Sequence, residues 1–233
     1  MKKFDEPLYV DPHGRSVMVG GKPVEQRISD LEAGIARVGG FWRHPNYFEA
    51  YLYSASLLIE QGRARGTLDE IGLPGFYLQR HAVELLLKEL LGWLVYIADL
   101  RRQLWISEIA PSKELVADLR SSHNLQRLHK HLLDFAAVLS LSSPPAELGE
   151  LIDDMKGIEI TETWSRYSSS SKKISSAWVG VQHIPEEVKI PIVKFQERLG
   201  KISVLVVSRG GFGDSYEDRL YEVWAGLSAA PDQ

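Results

Sequence analysis

The chain has 233 residues, of which 44% are hydrophobic and 25% charged, a composition that predicts one folded domain with a sizeable core. Its net charge of −4 and sequence pI near 6.0 give no general attraction to nucleic acid, so any such site has to be a local patch. The chain contains no cysteine, which excludes disulfides, thiol catalysis and cysteine-ligated zinc.

The sequence predicts neither an export signal nor a membrane span. The N-terminus MKKFDEPLYV lacks the apolar core that a secretory signal carries after its basic residues. The longest apolar run, residues 85–97, is interrupted by Lys88 and Glu89 and is too short to cross a bilayer. We therefore expect a soluble cytoplasmic protein without membrane contact.

The first part of the chain predicts a turn-rich extension followed by two helices. Residues 1–24 are rich in proline and glycine, and the short runs LYVD and SVMV around PHGR are compatible with a small hairpin. Apolar residues at helical spacing predict a helix from about Gln26 to the double glycine at 39–40. A second helix is expected to begin after Pro45 and to end near Gly62.

The middle of the chain continues the helical pattern. Residues 72–75 contain two glycines and a proline, which predict the start of a long central helix that includes residues 76–98. Ser112 and Ser122 can each cap one of the next two helices, because a serine hydroxyl accepts a hydrogen bond from the first helical turn. Residues 146–155 extend the pattern with another helical segment, AELGELIDDM.

The remaining segments complete a helical architecture. The polar, serine-rich residues 157–176 predict a loop, Pro185 opens another helical run, and residues 215–227 predict a last short helix. Since strands and helices do not alternate, the sequence predicts an all-α bundle of about six to eight helices with a short irregular or hairpin N-terminal extension. We assign residues 1–44 to the extension with its first helix and residues 45–233 to the bundle, as one domain overall.

One polar stripe interrupts the otherwise apolar central helix. At about 100° per residue, the stripe contains Tyr77, Arg80, His81, Glu84 and Lys88. The i,i+4 spacings let Glu84 bridge Arg80 and Lys88, and its i,i+3 spacing lets it orient His81. Because buried charges cost free energy unless they are paired, the stripe predicts an internal ion network, a basic site for an anion or phosphoryl chemistry, or a dimer interface.

A second polar group follows in the helix after Ser122. His129 and His131 point about 200° apart on a helix and cannot both bind one metal ion. Only one acid, Asp134, lies nearby, so this segment predicts no metal site. We expect most of the group to lie on a solvated face, with His123 at the helix N-terminus, where backbone N–H groups favour anions.

The serine-rich loop is locally basic. Arg166, Lys172 and Lys173 can contact phosphates there, and Trp164 or Tyr167 can stack on a base; the alternative is a mobile surface loop. The sequence contains no Walker loop, Rossmann fingerprint, nucleophile elbow or His-Glu-x-x-His motif, so we predict no cofactor.

Three motifs together resemble HEPN-like proteins. The first is aromatic-Tyr-Leu-x-Arg-His-x-x-Glu-Leu-x-Leu-Lys at residues 76–88, and the second is His-x-Leu-x-x-Leu at residues 123–128. The third is Arg-Tyr at residues 166–167 after an acidic stretch with Asp153 and Asp154. The resemblance implies a helical bundle that commonly forms homodimers in prokaryotic toxin–antitoxin and anti-phage systems, and many of its members are metal-independent endoribonucleases.

The resemblance also implies roles for the residues that carry it. The implied catalytic residues are Arg80, His81, Glu84, His123 and Arg166, and the implied substrate-binding residues are Tyr77, Lys88 and Tyr167. The basic loop adds Lys172 and Lys173 as candidate substrate-binding residues. A histidine would act as general base or acid on a ribose 2′-OH, cations would stabilise the phosphate, and Glu84 would orient His81.

The chain departs from the pattern of the active ribonucleases in this superfamily. They carry an arginine, a polar residue and a histidine separated by a short spacer, and here only Arg37 and His44 have such a spacing, across the double glycine at 39–40. The sequence therefore leaves two hypotheses. One is an RNA-cleaving or RNA-binding protein with an antitoxin or defence-system partner, and the other is a catalytically silent module that binds a partner protein or a nucleotide.

Overall fold

A computed structural model describes residues 24–36, 47–159, 169–174, 177–182, 186–208 and 213–229. Within these ranges the chain forms eight helices and one β-hairpin, so the prediction of a helical bundle is confirmed. The helices are α1 (Val24–Glu32), α2 (Tyr47–Arg65), α3 (Leu68–Gln103), α4 (Lys113–Ser121), α5 (Leu125–Val138), α6 (Ala146–Ile158), α7 (Ile192–Val206) and α8 (Tyr216–Ser228). The strands are β1 (Ser169–Ile174) and β2 (Ala177–Gln182). The predicted N-terminal hairpin lies outside the described residues.

Helix α3 is the centre of the bundle. It contacts α2, α4, α5, α7 and α8. Its leucines recur on all sides except the polar stripe, and each of them that faces the core is at most 2% exposed, namely Leu86, Leu87, Leu90, Leu91 and Leu94. This wrapping follows from the sequence, since a helix that is apolar nearly all round is buried by its neighbours. No helix in the described ranges combines the length and hydropathy of a membrane span.

The start of α3 differs from the prediction. The helix begins at Leu68, so the glycines and proline of residues 72–75 lie within it and do not mark its beginning. Gly75 is buried, and a Cβ atom there would lie 2.6 Å from Cδ1 of Ile192 at the start of α7. The glycine therefore serves the close approach of two helices, which a sequence pattern cannot separate from a helix start.

Several helix ends also differ from the predicted ones. Helix α1 ends at Glu32 and not at the double glycine, because Gly34 has a φ of +64° and terminates the helix in the left-handed conformation. Ser112 caps α4 as predicted, with its Oγ accepting from the N–H of Leu115 at 3.1 Å. The predicted cap at Ser122 is wrong, because the Oδ1 of Asn124 accepts from the first turn of α5.

The predicted opening of the later helical run at Pro185 is also wrong. Residues 186–191 are not helical, and α7 begins only at Ile192, after Pro191. A proline disfavours the helical conformation of the residue before it, so Pro191 keeps Ile190 out of the helix.

The loop predicted for residues 157–176 is wrong in part. Residues 169–174 form strand β1, which pairs antiparallel with β2 in a register that runs from Ser169 opposite Gln182 to Ile174 opposite Ala177. The partner strand carries Trp178, Val179 and Val181, which favour strand conformation. The serine-rich β1 has no apolar alternation of its own, so its strand conformation depends on main-chain pairing with β2.

Candidate functional site

The polar stripe of α3 converges on the carboxylate of Glu84, whose side chain is 3% exposed. Its Oε1 accepts a hydrogen bond from Nζ of Lys88 at 2.9 Å and lies 2.9 Å from Nδ1 of His123. Its Oε2 lies 3.4 Å from a terminal nitrogen of Arg80 and 3.8 Å from Nδ1 of His81. One buried anion therefore organises four cationic or ionisable groups: Arg80, His81 and Lys88 on α3, and His123, which lies two residues before α5 begins. We call these five residues the Glu84 cluster.

Arg80 is buried and commits its guanidinium to the protein. Its Nε donates to the carboxylate of Glu159, and its second terminal nitrogen donates to the carbonyl oxygen of His123 at 2.6 Å. The remaining terminal nitrogen faces Glu84. Arg80 thus joins α3 to the end of α6 and to His123, two residues before α5 begins. These contacts hold the backbone of His123 in place.

The two histidines of the cluster are its accessible members. The side chain of His81 is 22% exposed and that of His123 is 44% exposed. Each ring turns Nδ1 toward Glu84, which leaves Nε2 on the far side of the ring from the carboxylate. Two tyrosines fix the ring of His81: Tyr77 stacks on it with ring centroids 5.6 Å apart, and Tyr51 meets it edge-on at 4.6 Å.

The electrostatics of the cluster favour an ionised Glu84. Burial on its own would raise the pKa of this carboxyl, but the interactions with His81, Lys88 and His123 outweigh burial and hold the pKa well below its ordinary value of 4.5. Because an ionised carboxylate accepts hydrogen bonds only, it fixes a proton on Nδ1 of a neighbouring neutral imidazole.

This depressed pKa predicts a stability that depends on pH. A carboxyl whose folded pKa lies below its unfolded pKa stabilises the fold above the unfolded value, and this stabilisation is lost as the pH falls below about 4.5. We expect the difference in unfolding free energy between the wild type and Glu84→Gln to be largest near pH 7 and to shrink toward pH 3. Urea unfolding across this range measures it, and a difference that stays constant would contradict the depressed pKa.

The structure brings most of the predicted site together. Arg80, His81, Glu84, Lys88 and His123 form the Glu84 cluster, and Tyr77 packs on its edge. Arg166 and Tyr167 lie outside the described residues, as do Arg37 and His44. Lys172 and Lys173 occupy β1 opposite Val179 and Trp178.

One buried acid beside the Glu84 cluster was not predicted. Glu159, at the C-terminus of α6, pairs with Arg80 and faces Lys156 at 3.7 Å. The acids that the resemblance singles out lie elsewhere, since Asp153 accepts from Gln126 and Asp154 pairs with Arg198. The i,i+3 spacing of Lys156 and Glu159 is the one local signal of a paired acid at this position.

A second polar cluster lies between α4 and α5. Asp118 is buried and accepts hydrogen bonds from Arg127 and His131, the latter at 2.7 Å from Nε2. The predicted solvated face is therefore wrong for His131, and also for His129, which is half-buried against Gly149. The helical spacing of α5 alone could not reveal acids that come from α4.

No protein-family model, curated protein or solved structure matches this chain.

Proposed function

We propose that the Glu84 cluster is the active site of a HEPN-like, metal-independent RNA-cleaving protein of a prokaryotic defence or toxin system. The observation that carries the proposal is that two accessible imidazoles, His81 and His123, share one buried carboxylate beside Lys88. A homodimer, an antitoxin or defence-system partner and an RNA substrate belong to the same proposal.

The proposed chemistry uses one histidine as base and the other as acid. One Nε2 removes the proton from a ribose 2′-OH, and the resulting oxygen attacks the adjacent phosphorus. The other, protonated imidazole gives its proton to the leaving 5′ oxygen, so the products are a 2′,3′-cyclic phosphate and a free 5′-hydroxyl. Lys88, whose side chain is 20% exposed, stabilises the negative charge that develops on the phosphate. Glu84 orients both rings, and Arg80 positions His123.

A second candidate function is a catalytically silent module that binds a partner protein or a nucleotide. The observation that favours it is the internal pairing of the buried charges, since Arg80, Glu84 and Glu159 each have protein partners within the described residues. Paired buried charges of this kind also occur in proteins where they only hold helices or strands together and take no part in catalysis.

The experiment is cleavage of single-stranded RNA by the full chain in EDTA. We expect discrete cleavage by the wild type, and a loss of about 100-fold or more in His81→Ala and in His123→Ala, because each removes a proton-transfer group. His129→Ala is the matched control, since that histidine packs against Gly149 outside the cluster. Circular dichroism verifies that all four proteins are folded.

Two outcomes contradict the proposal. The first is no cleavage by a correctly folded wild type, which would favour the binding module; RNA retention on a filter would then separate RNA binding from partner binding. The second is an equal loss in the His129 variant, which would remove the link between activity and the cluster.

A further inference from the structure

The cluster between α4 and α5 has a composition unlike that of an ordinary surface ion pair. Glu114 and Asp118 stand one helical turn apart on α4, and His131 faces them from α5. One oxygen from each acid and one ring nitrogen of the histidine all lie within 4.8 Å of one another. Two carboxylates and an imidazole form a mixed oxygen and nitrogen donor set, which distinguishes this group from an acidic patch.

Arg127 bridges the two acids of this donor set. Its Nε donates to Oδ2 of Asp118, and a terminal nitrogen donates to Oε1 of Glu114 at 2.9 Å. The same Oδ2 also lies 2.7 Å from Nε2 of His131. The guanidinium therefore contacts both acids at oxygens that a bound cation would use.

The surroundings would allow an exchange of Arg127 for an ion. The side chain of Arg127 is 49% exposed and that of Glu114 is 66% exposed, so both can rotate without opening the core. A cavity of about 580 Å³ adjoins the cluster, and its lining includes Ser112, Glu114, Arg127, Lys130, His131 and Asp134. This space can hold the water molecules that complete the coordination of an ion with three protein ligands.

We infer that Glu114, Asp118 and His131 form a binding site for a divalent transition-metal ion, and that Arg127 holds the place of the cation when no metal is bound. Imidazole nitrogen combined with carboxylate oxygen selects ions such as zinc and cobalt over magnesium and calcium, which prefer oxygen alone. Bonds of about 2.0–2.2 Å to one shared ion require Nε2 of His131 and Oδ2 of Asp118 to separate from their 2.7 Å contact, and the carboxylate of Glu114 to move toward them. The exposed side chain of Glu114 can make that movement.

The test is titration of the full chain with Co²⁺, after treatment with a chelator and its removal. Calorimetry gives the affinity, and the visible absorption of Co²⁺ reports its coordination. We expect Arg127→Ala to bind Co²⁺ at least about tenfold more tightly than the wild type, because the competing guanidinium is gone. We expect His131→Ala and Glu114→Gln each to bind Co²⁺ at least about tenfold more weakly than the wild type, because a ligand is lost. Asp134→Ala is the control, since Asp134 lines the same cavity but pairs with Lys130.

The outcomes separate a metal site from a salt-bridge network. Binding by Arg127→Ala that disappears when His131→Ala is added supports the inference. Absence of binding in both the wild type and Arg127→Ala, with circular dichroism showing intact folds, would overturn it, as would equal affinity of those two proteins. The inference does not rest on the proposed RNA cleavage, which is assayed in a chelator.

Discussion

Glu84→Ala is expected to lower the free energy of unfolding by about 3–5 kcal/mol, among the largest effects of any single substitution in this chain. The carboxylate is 3% exposed and faces Arg80, Lys88 and two imidazoles. Its removal leaves the buried guanidinium of Arg80 with less negative charge nearby. The free-energy cost of keeping these groups out of water is then no longer offset by their pairing.

Urea unfolding near pH 7 measures this effect. Glu150→Ala is the matched control, because the same change at an exposed position of α6 is expected to stay within about 0.5 kcal/mol. Glu84→Gln keeps the volume of the side chain and removes only the charge, so we expect it to fall between the wild type and the alanine variant. A Glu84→Ala variant as stable as the Glu150 control would mean that the network does not hold the fold together.

The part of this site that lies on one helix could be predicted from the sequence. Arg80, His81, Glu84 and Lys88 follow one another at helical spacing, so a single periodicity places them on one stripe. Glu159 could not be predicted in the same way, because it meets Arg80 from a position 79 residues away, through the packing of α6 beside α5.

In the cluster between α4 and α5, too, the sequence predicts the spacing of residues within each helix but not the contact between the helices. The spacing of Arg127 and His131 on α5 is visible in the sequence, and so is that of Glu114 and Asp118 on α4. What the sequence did not show is that the two faces meet. The pattern of α5 alone offers Asp134 as the acidic partner of its histidines, but Asp134 pairs with Lys130.

Local conformation was predicted least well where tertiary contacts override propensity. Gly75 lies in the interior of α3 because Ile192 needs the space, although a glycine near a proline usually indicates a helix boundary. Strand β1 forms from serines and lysines because β2 supplies main-chain partners. In both places the deciding residue lies elsewhere in the chain.

Arg80→Ala on its own is also expected to lower the free energy of unfolding by about 3–5 kcal/mol. The substitution leaves two buried carboxylates, Glu84 and Glu159, without their shared cation. It also removes the donor to the carbonyl oxygen of His123. Arg80→Lys is expected to restore only part of the stability, since an ammonium cannot bridge three acceptors in the planar geometry of a guanidinium. Arg198→Ala, which breaks an exposed pair with Asp154, is the control.

The two large effects should not add, because Arg80 and Glu84 belong to one network. When Glu84 is already absent, removing Arg80 no longer leaves the Glu84 carboxylate without a partner. The free energy of unfolding of the double variant should therefore exceed the value obtained by adding the two single losses by about 0.5–3 kcal/mol. Urea unfolding of the wild type, both single variants and the double variant measures this coupling. Strict additivity would show that the two side chains stabilise the bundle independently. Measurable coupling would instead make the Glu84 cluster one energetic unit, in which the position of His123 depends on charges buried beneath it.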